Sequence, residues 1–191
     1  GKACTSAFGS RLALKRAVIT YLKLCPKGDL SIISHGPIGE WDVSGITDMG
    51  SMFYRAEAFN ADLSEWDVSL VEDMYGTFQN AAVFNSDVSK WDVSSATDMT
   101  EMFSEAERFN GDLSKWDVSK VTKMDRMFYG ASSFKQNLCE AAAWANSKAS
   151  QEEMFKGSSG VISQIECTTT PVPETTQSKR QYITRRELIV R

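Results

Sequence analysis

A single histidine, His35, is the entire imidazole content of this 191-residue chain, which also has only four cysteines and four prolines. His35 sits in a Gly/Pro-rich turn, and no Ser-His-Asp or Cys-His spacing is visible around it, so nucleophilic catalysis has no constellation to act through. Cys4, Cys25, Cys139 and Cys167 form no CxxC pair, which argues against a zinc site. No stretch approaches the roughly 18 consecutive apolar residues that a membrane-spanning helix requires. No signal peptide is visible, and Gly1-Lys2-Ala3 reads as a trimmed start. The formal net charge is only −4, giving no overall case for nucleic acid as a partner. These scarcities predict a protein that is not an enzyme, needs no cofactor or metal, and has no small-molecule substrate.

The cysteines lie in the flanks of the chain, two near each end. An even number there suggests two disulfides stapling the ends of a small core, of the kind found outside the cytosol. Cys4–Cys25 and Cys139–Cys167 are the favoured pairs, although four cysteines allow three pairings and four reduced thiols are the alternative.

The chain's main feature is a repeat. Trp-Asp-Val-Ser begins at Trp41, Trp66, Trp91 and Trp116, a period of 25 residues without insertion. Met49, Phe53, Ala56 and Phe59 recur at the same period in all four units. Val43 does so as well, and Ile46 and Leu63 begin columns that stay apolar. An exact period with apolar columns means that each unit stacks on its neighbours and shares one core. Within a unit, Met49, Met52, Phe53, Ala56 and Phe59 fall at spacings of three and four, which predicts a helix over about 48–58. Leu63 alternates with polar neighbours, which predicts a short strand; successive strands would pair in parallel about 4.8 Å apart. The expected fold is therefore α/β: a short right-handed solenoid of four coils with a helical cap at each end.

The expected organisation has four parts. Residues 1–35 hold an N-terminal capping helix, running from Ser10 to Leu24 with Leu14, Ala17, Val18, Tyr21 and Cys25 as its apolar face. Residues 36–140 hold the repeats, which stop where Ala141 replaces a fifth Trp. Residues 141–167 form a C-terminal cap, with a helix over Glu140–Lys148 and Trp144 covering the last coil. Residues 168–191 are a Thr/Pro linker and a basic tail.

The phrase Trp91-Asp92-Val93-Ser94-Ser95-Ala96-Thr97-Asp98-Met99, followed by Met102-Phe103, Ala106, Phe109-Asn110 and Asp112-Leu113-Ser114, resembles the BspA-like leucine-rich-repeat surface proteins. These include the mycoplasma lipoprotein repeat family of unknown function. The resemblance spans roughly residues 8–140 and departs at Lys123 and Thr77, which replace the Asp and Met of other units. It implies that the solenoid is of leucine-rich-repeat type, with an extracellular or cell-surface location and a role in adhesion or protein binding, and with no catalytic residues to carry over.

Charge suggests where a partner would bind. Residues 41–140 hold 18 acidic and 8 basic residues, whereas residues 179–191 hold five basic and one acidic. Asp62, Asp87, Asp112 and Asn137, with Ser64, Ser89 and Ser114, are expected to line an outward sheet face that a protein partner could use. Arg180, Arg185, Arg186 and Arg191 of the basic tail are the second candidate contact, and they suggest an alternative role as a structural subunit docked on a neighbour. The column Asp42, Asp67, Asp92 and Asp117 is expected to bond turn amides; a calcium ladder is the sharper reading, without a known calcium-repeat motif behind it. Thr47, Thr97 and Thr122 suggest an ice-binding ladder only until Glu72 interrupts them.

Overall fold

The structure, a computed structural model, describes residues 7–24, 35–138 and 142–163. Helix α1 spans Arg11–Leu24, preceded by Ser10, whose Oγ accepts the Ala13 amide at 3.3 Å. Leu14, Ala17, Val18 and Tyr21 are buried as their spacing predicts. Cys25 lies outside the described residues, as do the other three cysteines and the basic tail. A single 3-10 turn, Ile38–Glu40, leads into the first coil. Helix α2 is only Ala142–Ala145.

Between α1 and α2 the architecture differs from the expected α/β leucine-rich-repeat solenoid. Among the described residues, the coils contain neither helix nor sheet. Parallel contacts are isolated bridges, Asp48 with Asp73, Asp73 with Asp98 and Asp98 with Lys123, each one repeat apart. The expected helix over 48–58 is a succession of tight turns. Ser51 and Arg55 have φ of 53° and 57°, and the same two columns are left-handed in the later coils, including Gly76, Asn80, Gly130 and Gly157. A left-handed residue every fourth position is incompatible with a continuing right-handed helix. Spacings of three and four arise anyway, because the amides of Met52, Ala56 and Phe59 bond three residues back and return the chain to the core at that interval.

The other amides leave the coil. Met49, Ser51, Phe53 and Arg55 donate to the carbonyls of Asp73, Tyr75, Thr77 and Gln79 in the next coil, at 2.7–2.9 Å. The pattern repeats from coil 2 to coil 3 and from coil 3 to coil 4. A non-glycine residue in the left-handed region costs about 1–2 kcal/mol. The inter-coil bonds made possible by this alternation offset that cost, since otherwise these amides would lack partners.

The expected strand over Phe59–Ser64 is absent, and side chains carry the bonding between coils there. Phe59, Phe84, Phe109 and Phe134 form a stacked column with centroids 6.0–6.2 Å apart. Beside that column, asparagine side chains join one coil to the next. Asn60 Oδ1 accepts the Asn85 amide at 2.7 Å, Asn85 accepts the Asn110 amide and Asn110 accepts the Lys135 amide, each at 2.9 Å. A second column runs through Phe53, Phe78, Phe103, Phe128 and Phe155 at 5.3–5.8 Å. Each Trp Nε1 of coils 2 to 4 donates to a carbonyl 28 residues earlier: Trp66 to Ile38, Trp91 to Leu63, Trp116 to Val88.

The stack does not end at residue 140. Trp144 Nε1 donates to Leu113 O at 3.0 Å, the bond that a fifth repeat Trp would make. Met124, Arg126, Phe128 and Gly130 then donate to Ser150, Glu152, Met154 and Lys156. Residues 144–161 thus build a fifth coil rather than a helical cap. The 25-residue period misses it because Trp144 falls 28 residues after Trp116.

Candidate interaction surface

The acidic columns stand where the repeat places them, but on turns rather than on a sheet. Asp62, Asp87 and Asp112 are exposed, and each Oδ1 accepts the amide two residues on, from Ser64, Ser89 and Ser114, at 2.9 Å. Asp42, Asp67, Asp92 and Asp117 do the same with Ser44, Ser69, Ser94 and Ser119 at 3.0–3.1 Å, as expected of turn-bonding aspartates. Asn137, expected to end the first column, is exposed and instead makes the bridge to Val161. Among the described residues no group of three or more potential ligands is placed to hold a metal.

Those turn bonds act on the carboxyls. The hydroxyl and amide of Ser44, Ser69, Ser89 and Ser119 hold Asp42, Asp67, Asp87 and Asp117 below the usual carboxylate range. The Ser64 amide, then its hydroxyl, does so for Asp62. A hydrogen bond to the charged form favours it, so these carboxylates are firmly ionised at neutral pH. Asp48, Asp73 and Asp98 form a third column, closed by cations at both ends. Arg11 Nε meets Asp48 at 2.8 Å, and Lys123 Nζ meets Asp98 at 2.9 Å. Lys123, a departure from the repeat, thus relieves like-charge repulsion along its own column.

Thr77, the other departure, is buried, with its hydroxyl donating to the carbonyls of Met49 and Met74. His35 lies against Phe8 and Trp41, with ring centroids at 5.2 and 5.9 Å, a packing role. Arg180, Arg185, Arg186 and Arg191 lie outside the described residues.

Sequence reasoning missed a different group of residues, of which Tyr54, Arg55, Tyr75 and Arg126 are exposed while Gly50, Gly76 and Ser104 are buried. On the turn arm, the unit's tenth position holds Gly50, Tyr75, Thr100 and Asp125; the eleventh holds Ser51, Gly76, Glu101 and Arg126. The fourteenth holds Tyr54, Gln79, Ser104 and Tyr129, and the fifteenth Arg55, Asn80, Glu105 and Gly130. These positions differ from coil to coil while the Trp, Asp, Met and Phe columns hold the stack together. Tyr54 and Tyr75 remain 44% and 42% exposed, large for aromatic side chains. Arg55 lies over the Tyr54 ring at 5.3 Å, and Gln79 Nε2 donates to Glu101 Oε2 at 2.6 Å beside Tyr75. The Glu101 carboxylate holds the Tyr75 phenol above its ordinary range. The signal that would have found this arm is the mismatch among copies, which the search for shared columns passes over.

The family model described as "Mycoplasma protein of unknown function, DUF285" matches residues 29–144 and 62–167. Neither the curated proteins nor the solved structures give a match.

Proposed function

From the premise that the chain belongs to the DUF285 family of Mycoplasma proteins of unknown function, we propose that it is a non-catalytic protein-binding module, acting outside the cell or at its surface. One observation carries this reading. Residues repeated in every coil are occupied in building the stack, whereas the variable positions of one arm, with Tyr54, Arg55, Tyr75 and Arg126 exposed among them, change from coil to coil. A scaffold of this kind separates rigidity from recognition, as repeat proteins with binding surfaces do. Tyr and Arg are the side chains most enriched where binding energy concentrates, and Tyr54, Arg55 and Tyr75 share this arm. The acidic columns at Asp62, Asp87 and Asp112 supply a fixed negative field that speeds encounter with a basic partner more than it holds one. The likeness of Trp91–Met99 to BspA-like surface proteins supports the location, and no helix among the described residues is long and apolar enough to cross a membrane.

The test is binding of the purified chain to an array of extracellular-matrix and cell-surface proteins, with kinetics measured at two salt concentrations. Tyr54→Ala and Tyr75→Ala are each expected to raise the dissociation rate of a bound protein about tenfold, the effect of losing about 1.4 kcal/mol at a hot spot. The triple change of Asp62, Asp87 and Asp112 to Asn is expected to slow association and weaken its salt dependence. Binding indifferent to the tyrosines, or no retained protein at all, would contradict the reading.

A further inference from the structure

The stack is polar along its axis. In a β-strand edge, donors and acceptors alternate. In these arms one set of amides points forward and one set of carbonyls points back. Met99, Glu101, Phe103 and Glu105 donate forward, while the Met102, Ser104 and Ala106 amides close turns within the coil. Apart from one bond of opposite sense at the start of each arm, Glu72 N to Thr47 O and its repeats, the first coil therefore presents a run of acceptors along this stretch of its free edge, and the last coil a run of donors.

The two edges are treated differently. At the first coil, α1 covers the acceptors with cations. Arg11 Nη2 donates to Gly50 O at 2.5 Å, and Lys15 Nζ donates to Met52 O at 3.0 Å and also to Ser51 O. Leu14 and Val18, fully buried, seat the helix over the same end. At the fifth coil, Gln151, Glu153, Phe155 and Gly157 occupy the forward-donating positions, since the Met154, Lys156 and Ser158 amides close turns on the first three of them. Among the described residues these four amides meet no acceptor. Phe155 stacks on Phe128 at 5.5 Å, and its ring is only half-buried.

We propose that the donor edge of the fifth coil is a docking surface for the acceptor edge of the first coil of a second copy, and that α1 is the plug that blocks it. Four forward amides would meet the backward carbonyls of Asp48, Gly50, Met52 and Tyr54, the register used inside the chain, and Phe155 would continue its column onto the partner's Phe53. Two donor edges cannot satisfy each other, so the contact is head-to-tail and does not close into a two-fold dimer. In the intact chain α1 competes from within the same molecule, an advantage worth millimolar effective concentration, and keeps the protein monomeric at micromolar concentration.

The experiment uses the full chain carrying Arg11→Ala, Leu14→Ser and Lys15→Ala, followed by light scattering over a concentration series. Its mass is expected to rise past twice that of the monomer and to keep rising. A peptide spanning residues 7–24, added in excess, is expected to halt that growth. Adding Gln151→Pro is expected to return the mass to that of a monomer. This change removes one edge donor without breaking a bond inside the chain, and Ser150 before it sits in a bridge to Lys123 that a following proline tolerates. Lys15→Ala alone keeps the apolar seat of α1; if the triple variant loses its circular-dichroism signature, this milder variant is expected to show the same Gln151-dependent growth at higher concentration. A folded monomer in both, a mass that stops at a dimer, or growth indifferent to Gln151→Pro would overturn the proposal.

Discussion

Phe103→Ala is expected to cost about 3–5 kcal/mol, the range for deleting a fully buried aromatic ring. Phe103 has no exposed surface and lies at the middle of the stack. Its ring meets Phe78 at 5.6 Å, Phe128 at 5.8 Å and Phe109 of its own coil at 3.9 Å. Neighbouring arms are tied by backbone bonds at fixed intervals, so the rings on either side cannot close the gap without breaking those bonds. The loss combines the transfer of the ring with a cavity that relaxes only in part. It is read as a fall in the urea midpoint at unchanged slope. Phe155→Ala is the internal comparison. That ring ends the column with one side open, and its loss is expected to cost less than half as much. Equal costs at the two positions would show that the column does not act as a stack.

Gly39→Ala is expected to cost about 1–3 kcal/mol, the usual penalty for forcing an atom into a packed site. A Cβ on Gly39 would stand 2.5 Å from the backbone carbonyl oxygen of Asp62, which no side-chain rotation can clear. The lead-in turn would have to move, and with it Ile38, whose carbonyl accepts Trp66 Nε1 at 2.8 Å. Both the packing of the lead-in against the end of coil 1 and the Trp66 bond are therefore at stake in one methyl group. Gly9→Ala is the control, because nothing lies within 4 Å of its added Cβ, and its midpoint is expected to stay within the scatter of neutral surface changes. Thermal unfolding of the three proteins side by side separates the steric effect from any general cost of replacing glycine.

The repeat register, the apolar columns, α1 and the turn bonds of the WDVS aspartates were legible in the sequence, because each follows from residue type and spacing alone. The conformation of the arm was not. Spacings of three and four at Met49, Met52, Phe53, Ala56 and Phe59 suit a helix and a run of tight turns equally, and the left-handed residues that decide between them include Ser51, Arg55, Glu101 and Arg126, types that carry no such signature. Asn80, Gly76 and Gly130 in those two columns were the available hint. The alternation around Leu63 suggested a strand, but no backbone ladder forms there among the described residues, and Asn60, Asn85 and Asn110 carry the bonding instead. The fifth coil was hidden by a three-residue shift, although Trp144 and Met154-Phe155 were in view. Asp62, Asp87 and Asp112 are exposed on turns rather than on the expected sheet face, Ser114 of that face is buried, and the pairing of these carboxylates with serine amides gives them a structural duty that spacing had already suggested for the WDVS aspartates alone.

The claim on which the rest depends is that each arm hands alternate amides forward to the next coil. Amide hydrogen exchange read residue by residue tests it most directly. The account predicts slow exchange at Met99, Glu101, Phe103 and Glu105, whose amides bond the next coil, and fast exchange at Gln151, Glu153, Phe155 and Gly157, whose amides have no next coil to bond. Similar protection at the two sets would contradict it.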